Sequence, residues 1–103
     1  MSPVQIELRD TPFDSFQELF EYRTTFSKNG DHGACSTFVG TMREYNGGDR
    51  VFAMQLEHYP GMTEKQLEEI VGEARKTHEI LDGLLLHRIG NVHPGDDIVL
   101  IAV

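Results

Sequence analysis

The chain lacks the features that direct a protein to secretion or to a membrane. It has no tryptophan and one cysteine, Cys35, so no disulfide can form within the chain. A lone cysteine is typical of a reducing compartment, and we therefore expect a cytoplasmic protein. No apolar run approaches the roughly 20 residues that a membrane span needs. The first ten residues also lack the basic start and apolar stretch of a secretory signal.

Positive charge is scarce as well. Lysine and arginine together number 9, aspartate and glutamate 17, and the formal net charge is −8. Such a chain repels phosphates at long range, which argues against general binding to nucleic acid or to an anionic membrane. A small anionic ligand would need a local basic pocket, so the position of each arginine and lysine matters.

What is present is an ordinary globular composition, with 39% hydrophobic and 25% charged residues over 103 positions. This length predicts one domain, residues 1–103, with one core. The spacing of apolar residues predicts an α+β fold in the order β-α-β-β-α-β-β. The predicted strands are Val4–Leu8, Ala34–Met42, Val51–Tyr59, Leu84–Ile89 and Ile98–Val103.

Two amphipathic helices are predicted between these strands. The first covers Phe13–Phe26 and is stopped near Gly30. Its expected buried stripe is Phe16, Leu19, Phe20, the stem of Arg23, and Phe26. The second begins at Thr63, which forms a capping box pattern with Gln66, and ends near His78. Its expected buried stripe is Leu67, Ile70, Val71 and Ala74.

The last predicted strand, Ile98–Val103, is apolar without interruption. A strand that is apolar on both faces is normally covered on both. We expect either a partner that covers it or a natural chain that continues past Val103, and the absence of a polar cap favours the second.

Several residues are candidates for chemistry. Cys35 is a possible nucleophile, but a buried structural cysteine is the better interpretation because no recognisable signature surrounds it. A metal site at His58, His87 and His93 has no support from spacing, so no metal is expected. Glu57 and His58 precede a glycine-containing turn. The sequence is equally compatible with a functional role in a cleft and with a structural role in supporting the loop.

Arg43 is the most informative basic residue. It ends a predicted strand just before the glycine-rich loop Tyr45–Asp49, where binding groups concentrate. A guanidinium there can grip a phosphate through two hydrogen bonds. The alternative is a surface arginine paired with Glu44 or Asp49, and the local sequence leaves both open.

Three segments resemble the large, catalytic subunit of molybdopterin synthase, the MoaE family. Residues 33–43, GACSTFVGTMR, resemble the family's GAxxxFxGxxR strand. Residues 56–64, LEHYPGMTE, contain its LEHYPGM signature. Residues 87–99, HRIGNVHPGDDIV, are similar to its HRIGxxxPGDxIV segment, and order and spacing agree as well.

The resemblance implies an α/β-hammerhead fold with a mostly antiparallel sheet and a role in molybdenum cofactor biosynthesis. The enzyme would be a sulfurtransferase that acts on cyclic pyranopterin monophosphate to form the molybdopterin dithiolene. The sulfur would come from the thiocarboxylated C-terminus of a small ubiquitin-like subunit, and no cofactor is implied. The family's large subunits form a homodimer within a heterotetramer.

The resemblance also assigns a substrate-binding segment, Thr41, Met42 and Arg43, with Arg43 as the substrate-binding arginine. Thr41 departs from the family, which often has lysine there. The family's His-Arg pair and catalytic lysines fall beyond Val103, so the catalytic residues are unknown and the C-terminal part is expected to be missing. The alternative is a non-catalytic dimerising or partner-binding module derived from the family.

Overall fold

A computed structural model describes residues 4–26, 33–46, 48–50 and 53–103. It has two helices, α1 (Ser15–Phe26) and α2 (Met62–Thr77). The strands are β1 (Val4–Arg9), β2 (Thr37–Thr41), β3 (Tyr45–Asn46), β4 (Asp49–Arg50), β5 (Met54–Leu56), β6 (Gly83–Arg88), β7 (Gly90–Val92) and β8 (Asp97–Ala102). Neither described helix has the length and apolar character needed to cross a bilayer.

The main sheet has four strands in the order β1-β6-β8-β2. Strand β1 runs parallel to β6, whereas β8 is antiparallel to both β6 and β2. Two small antiparallel sheets pair β3 with β4 and β5 with β7. Two helices with a mostly antiparallel set of strands confirm the α+β prediction.

The last strand is not bare at its edges, because β8 lies between β6 and β2. Its alternate residues Leu100 and Ala102 are buried, and Val99 and Ile101 are half-buried. Pairing at the edges does not cover the face that carries Val99 and Ile101, so the expected cover of this strand by a partner or by further chain stays a prediction.

The core is small and lies where α1 packs on the main sheet. Its buried centre consists of Tyr22, Leu84, Leu86 and Leu100, with Phe13, Leu19 and Val39 packed against it. Leu86 and Leu100 are opposite each other in the β6–β8 ladder, and both are fully buried.

The predicted buried stripe of α1 is wrong at several positions. Phe16 is 70% exposed and Phe20 63% exposed, and Arg23 is exposed as well. Leu19 packs against the core as predicted, and the residues that join it on the inward face are Ser15 and Tyr22. Both stripes have helical spacing, and in the fold it is Tyr22 that packs against Leu84, Leu86 and Leu100 of the sheet. The Tyr22 hydroxyl also donates a hydrogen bond to Asp82. The side chain of Phe26 and the stop at Gly30 lie outside the described residues.

Helix α2 begins earlier than predicted. Its N-cap is Gly61, whose backbone N–H donates to the carboxylate of Glu64. Thr63 is not the cap; its hydroxyl accepts the backbone N–H of Tyr59. The predicted end is confirmed, since His78 is the C-cap.

The buried stripe predicted for α2 is wrong at Ile70, which is 63% exposed. Leu67, Val71 and Ala74 are half-buried, and no residue of the helix is fully buried. The helix packs against β1 and leaves Ile70 exposed.

The strand predictions are correct in place, but Ala34–Met42 and Val51–Tyr59 are too long. The strand predicted at Ala34–Met42 is confined to Thr37–Thr41. Cys35 therefore precedes it and is exposed, which makes the buried interpretation wrong. Within the predicted Val51–Tyr59 strand, Met54–Leu56 is a strand, and Val51 and Phe52 lie outside the described residues.

Candidate functional site

The end of β2 carries the predicted substrate-binding segment. The pairing of β2 with β8 shifts register between Gly40 and Thr41. Such a bulge changes the direction in which the following side chains point. Thr41 and Arg43 are exposed, whereas Met42 is 5% exposed and faces the interior. Arg43 can therefore meet a ligand directly, while Met42 anchors the segment between two exposed residues.

Met42 is held by its backbone as well as by burial. Its N–H donates to the carbonyl of Asp96 at 2.9 Å, and its carbonyl accepts the N–H of Gly95 at 2.9 Å. These partners belong to the turn His93–Asp96, closed by a hydrogen bond from Asp96 N–H to the His93 carbonyl. Gly95 has φ 91°, which the third position of a type II turn requires. The residue before Arg43 is thus fixed to a stiff turn.

The side chain of Arg43 is exposed to solvent. None of the ion pairs among the described residues includes Arg43. The alternative of a surface arginine paired with Glu44 therefore receives no support, and the side chain of Asp49 lies outside the described residues. A guanidinium without a carboxylate partner keeps its planar fork of donors available for a phosphate or carboxylate.

The three segments that carry the resemblance meet in the fold. Residues 87–99 pair with both of the others: β8 lies beside β2, and β7 lies beside β5. Leu56 is opposite Gly90, and the turn before β8 holds Met42. Segments far apart in sequence therefore form one connected backbone framework that ends at Arg43.

The loop that leads into α2 is fixed by charged hydrogen bonds. The Glu64 carboxylate accepts hydrogen bonds from the Gly61 N–H and from the ring Nε2 of His58. The hydrogen bond from His58 lowers the pKa of Glu64, and that from Gly61 adds to the effect. The Tyr59 hydroxyl donates to Glu57, which raises the pKa of Tyr59. Glu57 and His58 thus serve the loop's own structure.

A shallow cleft of about 410 Å³ lies beside this loop and has the wrong charge for a phosphate. Its lining includes Asp10 and Glu57, together with His58, Tyr59 and Ile89. Two carboxylates with no lysine or arginine would repel an anionic ligand. The cleft is therefore separate from the Arg43 site.

Cys35 and the histidines make no hydrogen bond to one another among the residues that the structure describes. Cys35 lines a cavity of about 130 Å³ with Tyr22, Arg23 and Asp82, and its Sγ is 3.9 Å from the Thr37 hydroxyl. His87 contacts the backbone carbonyl of Arg88, and His93 is exposed near Asp96. Across the described ranges, no cluster of three His, Cys, Asp or Glu side chains is arranged to hold a metal ion.

Sequence reasoning missed Arg88. Arg88 is the last residue of β6, and it is buried, with only 4% of its surface exposed. Nη2 donates to the Asn91 carbonyl, and Nη1 is 3.7 Å from the Asp96 carboxylate. The available signal was an arginine at the end of the apolar run Leu84-Leu85-Leu86, because a cation in such a strand needs a partner nearby.

Comparison with known proteins agrees with this framework. The family described as MoaE protein matches residues 8–103. The molybdopterin synthase catalytic subunit of Haemophilus ducreyi is 44% identical over 98 residues, covering 95% of this chain and 62% of that protein. The Escherichia coli subunit of the same name is 42% identical over 103 residues, covering 100% of this chain and 66% of that protein.

A solved structure is also similar. The molybdopterin biosynthesis MoaE protein from Burkholderia ambifaria superposes with a TM-score of 0.74 at 38% identity, covering 95% of this chain and 61% of that one. The chain spans about three fifths to two thirds of the length of these three proteins. Matches of this extent, in sequence and in fold, establish that the chain belongs to the MoaE protein family.

Proposed function

We propose that the chain acts in molybdenum cofactor biosynthesis as the substrate-binding part of a molybdopterin synthase large subunit. The observation that carries the proposal is Arg43, exposed at the end of β2 and without an ion pair to any described residue. The enzyme would be a sulfurtransferase that converts cyclic pyranopterin monophosphate to the dithiolene of molybdopterin. Arg43 would bind the phosphate of this substrate, with Thr41 beside it and Met42 anchoring the segment.

Charge supports this assignment of Arg43. The chain carries a formal net charge of −8, so its overall field opposes the approach of a phosphate. Binding then depends on a short-range, bidentate contact rather than on long-range attraction. A guanidinium whose donors are not consumed by a neighbouring carboxylate provides such a contact.

The side chain of Arg43 is exposed, and it does not line any of the cavities formed by described residues alone. Acyl transfer from a thiocarboxylate needs donors around the developing oxyanion and exclusion of water. We infer that the C-terminal tail of the small, sulfur-donating subunit helps to enclose the substrate over Arg43.

The proposed partner is a small ubiquitin-like subunit whose thiocarboxylated C-terminus delivers the sulfur. The proposed assembly is a homodimer of large subunits, each with one small subunit, located in the cytoplasm. Sedimentation of the protein alone and with the small subunit measures both associations. A large subunit that stays monomeric at micromolar concentration in both conditions would contradict the assembly.

Replacement of Arg43 tests the binding site directly. We expect Arg43→Ala to weaken binding of the pterin monophosphate about tenfold to hundredfold, because hydrogen bonds to a charged group are lost. Isothermal titration measures the affinity. Lys76→Ala, which removes an exposed cation of α2, is the matched control and should leave the affinity unchanged. Equal affinity of wild type and Arg43→Ala would remove Arg43 from the site.

The activity itself is tested by mixing the protein with thiocarboxylated small subunit and precursor and measuring dithiolene formation. Formation of the dithiolene supports the enzyme. Precursor binding and partner binding without product would instead favour the alternative, a non-catalytic module that retains the binding surfaces of the family.

A further inference from the structure

Arg88 is an unusual residue for the interior of a small acidic protein. Arg88 is only 4% exposed, although its side chain carries a permanent positive charge. A buried charge is costly unless a carboxylate and hydrogen bonds compensate it. The described surroundings provide one hydrogen bond, to the Asn91 carbonyl, and one carboxylate, Asp96. Arg88 is therefore tied to both ends of the segment Asn91–Asp96.

The segment that Arg88 holds is the one that clamps β2. The carboxylate of Asp96 forms an ion pair with Arg88, and its backbone carbonyl accepts a hydrogen bond from the N–H of Met42. Gly95, one residue earlier, donates its N–H to the Met42 carbonyl. One short turn thus connects the buried guanidinium of Arg88 to the residue that immediately precedes Arg43.

The contacts of Arg88 are incomplete. Its Nε and Nη1 are buried without a hydrogen-bond partner in the described structure, and Nη1 lies 3.7 Å from the Asp96 carboxylate, beyond hydrogen-bond distance. The Asp96 carboxylate is also held by the backbone N–H of His93 at 3.0 Å. Arg88 therefore holds the turn through the ion pair to Asp96 and the hydrogen bond to the Asn91 carbonyl.

We propose that Arg88 is a positioning residue for the anion site: it fixes the turn His93–Asp96 against Met42 and thereby sets the direction in which Arg43 points. This deepens, and in its functional part rests on, the proposed binding of the pterin phosphate by Arg43. The role requires an arginine, because the planar fork reaches the Asn91 carbonyl and the Asp96 carboxylate together, whereas a lysine ammonium is a single point.

Amide hydrogen exchange tests the positioning step without any ligand. In Arg88→Lys, the amides of Met42 and Gly95 are expected to exchange about tenfold faster, while the amides of the β6–β8 ladder keep their protection. Arg9→Lys is the matched control: Arg9 is the register partner of Arg88 but is bound to Glu7 and Glu18. Unchanged exchange at Met42 and Gly95, or a uniform rise across the sheet, overturns the proposal.

A second variant covers the case in which Arg88→Lys does not fold. Asp96→Asn keeps an oxygen to accept the His93 N–H but removes the charge that faces Arg88. The same two amides are expected to lose protection, and Asp10→Asn, which removes an exposed charge just after β1, is the control for removal of a charge. Equal exchange in Asp96→Asn and wild type counts against the proposal.

A double-mutant cycle tests the link to Arg43. Arg88→Lys is expected to weaken pterin monophosphate binding about tenfold in the wild-type background and to have no further effect in Arg43→Ala, because both changes act through one group. Additive effects overturn the link, since a merely structural loss is independent of Arg43. A wild-type protein that binds no pterin overturns the proposed function instead, and the exchange experiment then decides the role of Arg88.

Discussion

At the scale of single residues, Gly40 shows how the strand that leads to the site is constrained. A Cβ atom added at Gly40 would lie 2.8 Å from Cγ1 of Val99, the residue opposite it on β8. Valine has a stiff, branched side chain, so it cannot move aside without shifting its backbone. The absence of a side chain at Gly40 therefore permits β2 to approach β8 just before the bulge that leads to Arg43.

We expect Gly40→Ala to lower the free energy of unfolding by about 1–3 kcal/mol, the usual cost of forcing an extra methyl group into a packed position. Urea denaturation followed by circular dichroism measures the change. Gly72→Ala is the control: no atom lies within 4 Å of the added Cβ, and the helix is expected to gain up to about 1 kcal/mol. A loss at Gly72 as large as that at Gly40 would show that the contact with Val99 is not the cause.

At the scale of elements, the start of α2 depends on a carboxylate rather than on the threonine that the sequence suggested. Gly61 has φ 85°, a backbone conformation that residues with a side chain rarely adopt. Its N–H donates a hydrogen bond to the Glu64 carboxylate. The Glu64 carboxylate also accepts a hydrogen bond from the ring of His58. One carboxylate therefore holds both the loop and the first turn of the helix. Because Glu64 is near the helix N-terminus, its negative charge is further favoured by the helix dipole.

This arrangement predicts a pH dependence. The pKa of Glu64 is lowered from its ordinary value of 4.5, so the folded state favours the ionised form. The resulting stabilisation is present above pH 4.5 and is lost as the pH falls through the lower folded pKa. The melting temperature of Glu64→Gln is therefore expected to be below that of wild type at neutral pH, with the gap closing in acid.

The control for this series is Glu69→Gln, which removes an exposed carboxylate from the same helix. Thermal unfolding of the three proteins from neutral pH into the acid range makes the comparison. A gap between wild type and Glu64→Gln that persists unchanged at the lowest pH would contradict a role for the ionised carboxylate.

At the scale of the whole molecule, the protein is elongated and has a small hydrophobic core. The principal extents are 45 × 27 × 24 Å, and the radius of gyration is 14.9 Å, against about 13 Å for a compact chain of this length. Nine buried hydrophobic residues form the described core, so each carries a large share of the stability. Large apolar side chains such as Phe16, Phe20 and Ile70 remain exposed.

Leu100 is the position where this thin core is most sensitive, because it is fully buried on the strand between β6 and β2. We expect Leu100→Ala to lower the free energy of unfolding by about 2–5 kcal/mol. Ile70→Ala, at an exposed position, should change it by less than about 0.5 kcal/mol. Comparable losses in the two variants, measured by urea denaturation, would show that the core extends over the exposed face of α2.

The sequence by itself determined the class of fold, the approximate place of the strands, the end of α2 and the family. These follow from local periodicity, turn residues such as Pro94 and Gly95, and contiguous motifs, all of which act over short distances along the chain. The same local information placed Arg43 at the end of a strand, because the apolar run that precedes it gives way directly to a glycine-rich loop.

Only the tertiary structure decided which faces are buried and what supports the site. Phe16 and Tyr22 both fit helical spacing, but only Tyr22 packs in the core cluster formed with the distant strands β6 and β8. Arg88 gave little sign of a role in sequence, because its partners Asn91 and Asp96 matter only when their turn docks on Met42. Burial and charge compensation depend on contacts between segments that are far apart in sequence. They therefore cannot be predicted from the spacing of residues along the chain.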